Sequence, residues 1–207
     1  IDLQGLLKSG LLAFISGATR RIGLRSKEGS QWLMSQVVPH QRGDPRIGSE
    51  YRQLTGALGL PEQQFAMDIA VDEADAVAVK RILLTAGVGG DYIVICPFTT
   101  RPQKHWFEER WVELARLAGQ QSASGQAARQ VVMLGGPGDA VAAARIAAAA
   151  EGAILNLAGK TNLREAAAIL RGAGLALGVD TGLTHIAIAM RTPTLALFGS
   201  TRPYIDA

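Results

Sequence analysis

The sequence predicts an α/β fold whose C-terminal part is a doubly wound parallel sheet, and three observations carry that prediction. From Asp91 onward, five short runs of β-branched and aliphatic residues recur. Segments with helical periodicity separate them. The runs are apolar throughout instead of alternating with polar residues, so both faces of each strand are buried. In a strand-helix-strand chain this means a parallel sheet covered by helices on either side.

The expected strands lie at residues 92–96 (Tyr-Ile-Val-Ile-Cys), 131–134, 154–157, 175–179 and 194–198. Helices are expected at 106–118, with Phe107, Trp111, Leu114 and Ala118 on one face, then at 139–150, 162–170 and 182–190. Upstream, 8–15 reads as a helix, 20–24 as a strand, 39–48 as a loop and 50–58 as a helix. Residues 72–87 carry acids early and Lys80-Arg81 late, the charge order that suits a helix dipole. A domain boundary is placed near residue 88, at Val88-Gly-Gly-Asp91, dividing the chain into 1–87 and 88–207.

A chain of 207 residues, 48% hydrophobic and 19% charged, can bury one large core or two small ones, but not two full-sized domains. It opens at Ile1 without a charged n-region or a small-residue cleavage site, so no signal peptide is expected, and it reads as a chain entered partway through a strand. The longest nearly charge-free stretch, 172–190, has Asp180 and His185 in its middle, so no transmembrane segment is expected. The single cysteine, Cys96, cannot form an internal disulfide and provides no metal spacing; it reads as core packing and suits a reducing cytoplasm. The net charge of +3 resides in residues 1–50, where seven Lys/Arg face four acids. So small an excess, without interleaved aromatics, argues against nucleic acid and leaves an anionic substrate or membrane surface.

Three loops could carry chemistry. At Gly178-Val-Asp-Thr-Gly-Leu-Thr-His185 an apolar strand ends and a helix begins. The unpaired N–H groups of that helix, and the positive end of its dipole, would suit a phosphate; alternatively, Asp180 or Thr181 is a plain N-cap. On a helical wheel His185 points away from the stripe of Leu183, Ile186, Ala187 and Met190, which disfavours a core histidine. The loop Pro97-Phe-Thr-Thr-Arg-Pro-Gln-Lys-His-Trp106 places Thr99, Thr100 and Lys104 at the carboxyl edge of the sheet. Hydroxyls can donate to diphosphate oxygens there and the ammonium can offset leaving-group charge; the alternative is a solvated loop. In Leu134-Gly-Gly-Pro-Gly-Asp139 the glycines permit close backbone approach and Asp139 stands where α/β domains place an acid on ribose hydroxyls. GxGxxG is missing, which argues against a dinucleotide oxidoreductase.

With these loops in view, the chain resembles glycosyltransferase family 9, the ADP-heptose:lipopolysaccharide heptosyltransferases. Asp180-Thr-Gly-Leu-Thr-His185 with Arg191-Thr-Pro-Thr-Leu-Ala-Leu-Phe-Gly-Ser-Thr-Arg-Pro203 is similar to the family signature and its continuation. Thr99-Thr100 with Lys104-His-Trp106 is similar to its donor-phosphate loop, and Asp2-Leu-Gln-Gly-Leu-Leu-Lys-Ser9 to a segment late in its first domain.

The resemblance implies a GT-B architecture of two Rossmann-like domains, with the second holding the nucleotide. It implies inverting, metal-independent transfer of a heptose from ADP-heptose to the lipopolysaccharide inner core, without a cofactor, in the cytoplasm or at the periphery of the inner membrane. By matching position, Thr99, Thr100 and Lys104 would contact the diphosphate, and Asp180, Thr181, Gly182 and His185 the phosphates and sugar. Asp139, where the family commonly has Glu, would contact the ribose, while Lys160 and Thr161 would line the adenine site. Lys104, Asp180 and His185 are the candidates for a catalytic role. Lys8, Arg20, Arg21 and Arg25, with neighbouring Lys27, become candidates for the anionic acceptor. The family's general base lies in an early loop upstream of Ile1, and its closing helices lie beyond Ala207. Residues 1–207 alone are therefore expected to bind ADP or an ADP-sugar with little turnover and to expose apolar surface. A different nucleotide sugar, or a non-catalytic nucleotide-binding module, remains open.

Overall fold

The computed structural model describes residues 1–26, 28–39, 49–61, 67–120 and 129–200. The expected loop at 39–48 lies outside them beyond Pro39, as do Lys27 and the Thr201-Arg202-Pro203 end of the signature. The chain divides into two compact units, one within Ile1–Phe65 and one within Ala66–Thr201. This division precedes residue 88 because the helix that follows Asp72 packs into the second unit's core.

In the first unit, helix α1 (Leu7–Ile15) leads to strand β1 (Ile22–Leu24), a 3-10 turn (Ser30–Leu33), strand β2 (Gln36–Val38) and helix α2 (Ser49–Ala57). β1 and β2 pair in parallel, Ile22 opposite Gln36, and Asp2 bridges to Gly23. Ile22, Leu24, Val38 and Leu54 form a small core. The segment beginning at Asp2 builds a turn lock. Asp2 Oδ1 accepts from Gln4 N at 3.0 Å and Gly5 N at 3.2 Å, and Oδ2 from Ser9 Oγ at 3.0 Å. Gly5 supplies the left-handed φ of 66° that the turn requires. A side chain at Gly10 would come within 2.7 Å of Ser30 Cβ, so this glycine lets α1 rest on the 3-10 turn.

The second unit follows the expected alternation: α3 (Glu73–Thr85), β3 (Tyr92–Cys96), α4 (Glu108–Ala118), β4 (Gln130–Met133), α5 (Ala140–Ala149), β5 (Ile154–Asn156), α6 (Leu163–Gly172), β6 (Leu175–Val179), α7 (Gly182–Ala189) and β7 (Thr194–Leu197). Short 3-10 turns occupy Pro102–Lys104 and Pro137–Asp139. All strand pairs are parallel, in the order β5-β4-β3-β6-β7. Alternate residues of the central strand feed two cores. Tyr92, Val94 and Cys96 join α3, α6 and α7, while Ile93 and Ile95 join α4 and α5. Local chemistry starts the helices: Asn162 Oδ1 accepts from Arg164 N and Glu165 N while Glu165 Oε2 accepts from Asn162 N, a reciprocal cap. α4 begins later than the expected 106. Phe107 is exposed at its N-cap, and Trp106 packs edge-on against Trp111, with 5.0 Å between ring centroids.

Candidate functional site

The strand order creates a switch point. The chain steps from β3 outward through β4 to β5, then returns to place β6 on the other side of β3. The loops leaving β3 and β6 therefore diverge and open a crevice at the strands' carboxyl ends, the place where such sheets bind ligands. Those are the loops bearing Thr99, Thr100 and Lys104 on one side and Asp180, Thr181, Gly182 and His185 on the other. The side chains meet across it: Lys104 Nζ donates to Asp180 Oδ2 at 2.6 Å, Thr99 Oγ1 to the Asp180 carbonyl at 3.3 Å, and His185 Nε2 lies 3.4 Å from Asp180 Oδ1. Thr100 is exposed beside Thr99.

Thr181 is the N-cap of α7, but its side chain makes no capping hydrogen bond. Thr184 N and His185 N donate to the Thr181 carbonyl at 3.1 and 3.3 Å, so the N–H groups of Gly182 and Leu183 are the ones with neither an intrahelical acceptor nor a hydroxyl cap from Thr181. α7 lies close on the sheet because β6 has Gly178. A Cβ there would stand 3.0 Å from Cys96 Cβ and would meet Thr184 Oγ1, which donates to the Val179 carbonyl at 2.7 Å. At Gly182, by contrast, a Cβ would meet nothing within 4 Å among the described residues. Of the expected stripe, Ile186, Ala187 and Met190 are buried and Leu183 is partly buried against the core, while His185 is partly exposed.

A second group of candidates follows β4 and β5. Gly159 N donates to the Gly135 carbonyl at 2.9 Å, tying the two loops together, and a Cβ on Gly159 would lie 3.1 Å from Pro137 Cα. Asp139 Oδ2 accepts from Gly136 N at 2.8 Å and so shapes its own turn; Lys160 Nζ donates to the Asn156 carbonyl at 2.9 Å, and Thr161 is next to it, partly buried. The groups are joined by Phe98, whose ring packs where a Gly135 side chain would stand, with Cδ2 2.6 Å from the ideal Cβ position.

The expected acceptor cations lie in the first unit. Arg21 is engaged by its own surroundings: Nε donates to the Leu33 carbonyl at 2.8 Å, Nη1 to the Ala18 carbonyl, and the guanidinium stacks 5.2 Å from the Phe14 ring centre. Arg20 Nη2 donates to Gln36 Oε1 at 3.2 Å; Lys8 and Arg25 are exposed. Arg20 and Arg21 line a concavity of about 280 Å³ together with Asp2, Ser9 and Leu12. Among the described residues no group of His, Cys, Asp and Glu is placed to hold a metal ion, and no helix is long and apolar enough to cross a membrane. Cys96 is buried at the end of β3, and burial pushes its thiol up to about 12.

Two contributors to the crevice were not singled out in the sequence. Phe98 reads there as one more apolar residue after a strand. His105 Nε2 lies 2.9 Å from the Thr99 carbonyl, and a backbone acceptor leaves no pattern in the sequence.

Comparison with known proteins agrees with this fold. The chain is 33% identical to lipopolysaccharide heptosyltransferase 1 of Pseudomonas aeruginosa over 98% of its own length and 54% of that protein's. It superposes on the structure of Escherichia coli ADP-heptose lps heptosyltransferase II with a TM-score of 0.74 at 26% identity, covering 98% of this chain and 63% of that one. Against the Escherichia coli heptosyltransferase WaaC with ADP the TM-score is 0.68 at 28% identity, covering 97% and 61%. These likenesses place the fold in the α/β, GT-B-type class. The chain spans little more than half the length of the Pseudomonas relative. The profile of glycosyltransferase family 9 (heptosyltransferase) matches residues 1–205, so the chain belongs to that family.

Proposed function

We propose that this chain is part of an enzyme that transfers a heptose from ADP-heptose to the lipopolysaccharide inner core, with the donor held by its second unit. The observation that carries the reading is the ammonium of Lys104 held beside Asp180 and His185 where α7 begins, at the switch point of the sheet. A diphosphate seated there meets a cation, the hydroxyls of Thr99, Thr100 and Thr181 and the first N–H groups of α7, at Gly182 and Leu183, and the helix dipole favours its charge. Lys104 stabilises the leaving nucleotide, Asp180 and His185 contact the sugar and phosphates, Asp139 reaches the ribose, and Lys160 and Thr161 border the base. In this reading the second unit serves the donor and the first the acceptor. Lys8, Arg20 and Arg25 attract an anionic acceptor, and Arg21, bound to backbone carbonyls, contributes through its field. The acceptor's location puts the enzyme in the cytoplasm, at the inner membrane surface. Transfer is inverting and needs no metal, and no general base is assigned within residues 1–207.

The relatives' names support the sugar and the acceptor, and one of the solved neighbours is a complex with ADP. Calorimetry of the chain with ADP, ADP-heptose and a uridine diphosphate sugar tests the donor half. Preference for the adenine ligands is expected, and equal or absent binding of all three overturns it. A turnover assay with an inner-core acceptor tests the rest: ADP binding without turnover is expected of residues 1–207, and robust turnover would place the general base inside them.

A further inference from the structure

We propose that His105 is a positioning residue: its ring fixes the Thr99 carbonyl and thereby the loop that faces the diphosphate. The inference rests on the nucleotide reading of this crevice and goes beyond it, because nothing in that reading uses His105.

The loop between β3 and α4 folds back on itself. Lys104 N donates to the Arg101 carbonyl at 3.0 Å and His105 N to the Pro102 carbonyl at 3.2 Å, closing the 3-10 turn Pro102–Lys104. That turn delivers two consecutive side chains to two jobs. Lys104 reaches across to Asp180, while His105 reaches back six residues so that Nε2 lies 2.9 Å from the Thr99 carbonyl. A carbonyl oxygen accepts only, so Nε2 carries the proton; both the imidazolium and the neutral Nε2–H tautomer satisfy this. Without the contact, Thr99 is held across the crevice by the 3.3 Å bond from its hydroxyl to the Asp180 carbonyl, at the long end of hydroxyl hydrogen bonds. The peptide between Thr99 and Thr100 would then turn more freely, and with it the direction of both hydroxyls. His105 is exposed, so truncating it opens no core cavity. Its loss should be felt by the loop and not by the fold.

The test compares His105→Ala and His105→Gln with the unsubstituted chain in three measurements: melting temperature, the ¹⁵N shift of the Thr100 amide, which senses a hydrogen bond on the Thr99 carbonyl, and the dissociation constant for ADP. A glutamine amide can present its N–H near the position of Nε2. The expected result is an unchanged melting temperature in both variants, a displaced Thr100 signal with about threefold to tenfold weaker ADP binding in His105→Ala, and recovery of both in His105→Gln. A Thr100 signal that stays in place in His105→Ala overturns the proposal, as does a displaced signal with unaltered ADP affinity. Failure of the unsubstituted chain to bind ADP removes the nucleotide reading instead, and the Thr100 signal still decides the contact.

Discussion

Lys104 Nζ and Asp180 Oδ2 lie 2.6 Å apart, with side chains only 17% and 16% exposed, so the loop leaving β3 is fastened to the end of β6 by an ion pair largely withdrawn from water. A cation already paired with a carboxylate must be shared with, or surrendered to, any phosphate that enters. The two residues are therefore expected to respond with opposite sign when each is neutralised.

Lys104→Met removes the cation that a diphosphate would meet and leaves the Asp180 charge in place. Hydrogen bonds to charged groups contribute about 1.5–3 kcal/mol, which corresponds to roughly a 10- to 100-fold rise in the ADP dissociation constant. Calorimetry measures it directly. Unchanged affinity would show that Lys104 serves the loop and not the ligand.

Asp180→Asn retains the shape and removes the competitor. ADP is expected to bind more tightly, because Lys104 is released toward the phosphate and a repelling charge is gone. Turnover by the whole enzyme should fall, since the sugar contact is weakened. Weaker ADP binding in this variant would mean that Asp180 holds Lys104 in its binding position.

Gly178→Ala places a methyl against Thr184 Oγ1 and Cys96. Overpacking of this kind costs about 1–3 kcal/mol, and at this chain length each kcal/mol lowers the melting temperature by roughly 2–4 °C. Gly182→Ala meets nothing within 4 Å among the described residues and should leave the melting temperature unchanged. Any loss of ADP affinity in the second variant then reports on room for phosphate alone.

Tyr92 donates to the Ile169 carbonyl at 2.7 Å, and burial, with the Asp91 carboxylate nearby, pushes its phenol up from 10.0 to about 12. The folded chain thus keeps a proton that the unfolded chain loses, so stability is fully present below pH 10 and declines as pH rises toward 12. Cys96, raised from 9.0 to about 12, adds a decline of the same sign that begins lower. Tyr92→Phe should cost about 1 kcal/mol at neutral pH, and the gap should narrow between pH 10 and 12. Denaturant titrations across that range check it; a constant gap would sink the assignment.

Much of the second unit is legible in the sequence because its signals are local. The strands at 92–96 and 175–179 are found where expected, since a five-residue apolar run has few alternatives in a chain that alternates with amphipathic helices. Strand β2 and the 3-10 turn before it pass unread: three residues, Gln36–Val38, are too few to display a period. At the site, the residues were visible but their pairing was not. Lys104 and Asp180 stand 76 positions apart, and they meet because β6 returns to the flank of β3, a matter of strand order that chain order does not disclose. Phe107 misled because helical periodicity extends back past the true start of α4, where the chain is still extended and the ring faces solvent.

The turn lock at Asp2 bears on how kinship is detected. Asp2, Gly5, Ser9 and Gly10 form it from a carboxylate gathering N–H and O–H donors, a left-handed residue and a glycine on which a helix rests. Matching it identifies an architecture, whereas evidence of chemistry has to be sought at the switch point, where Lys104 and Asp180 meet.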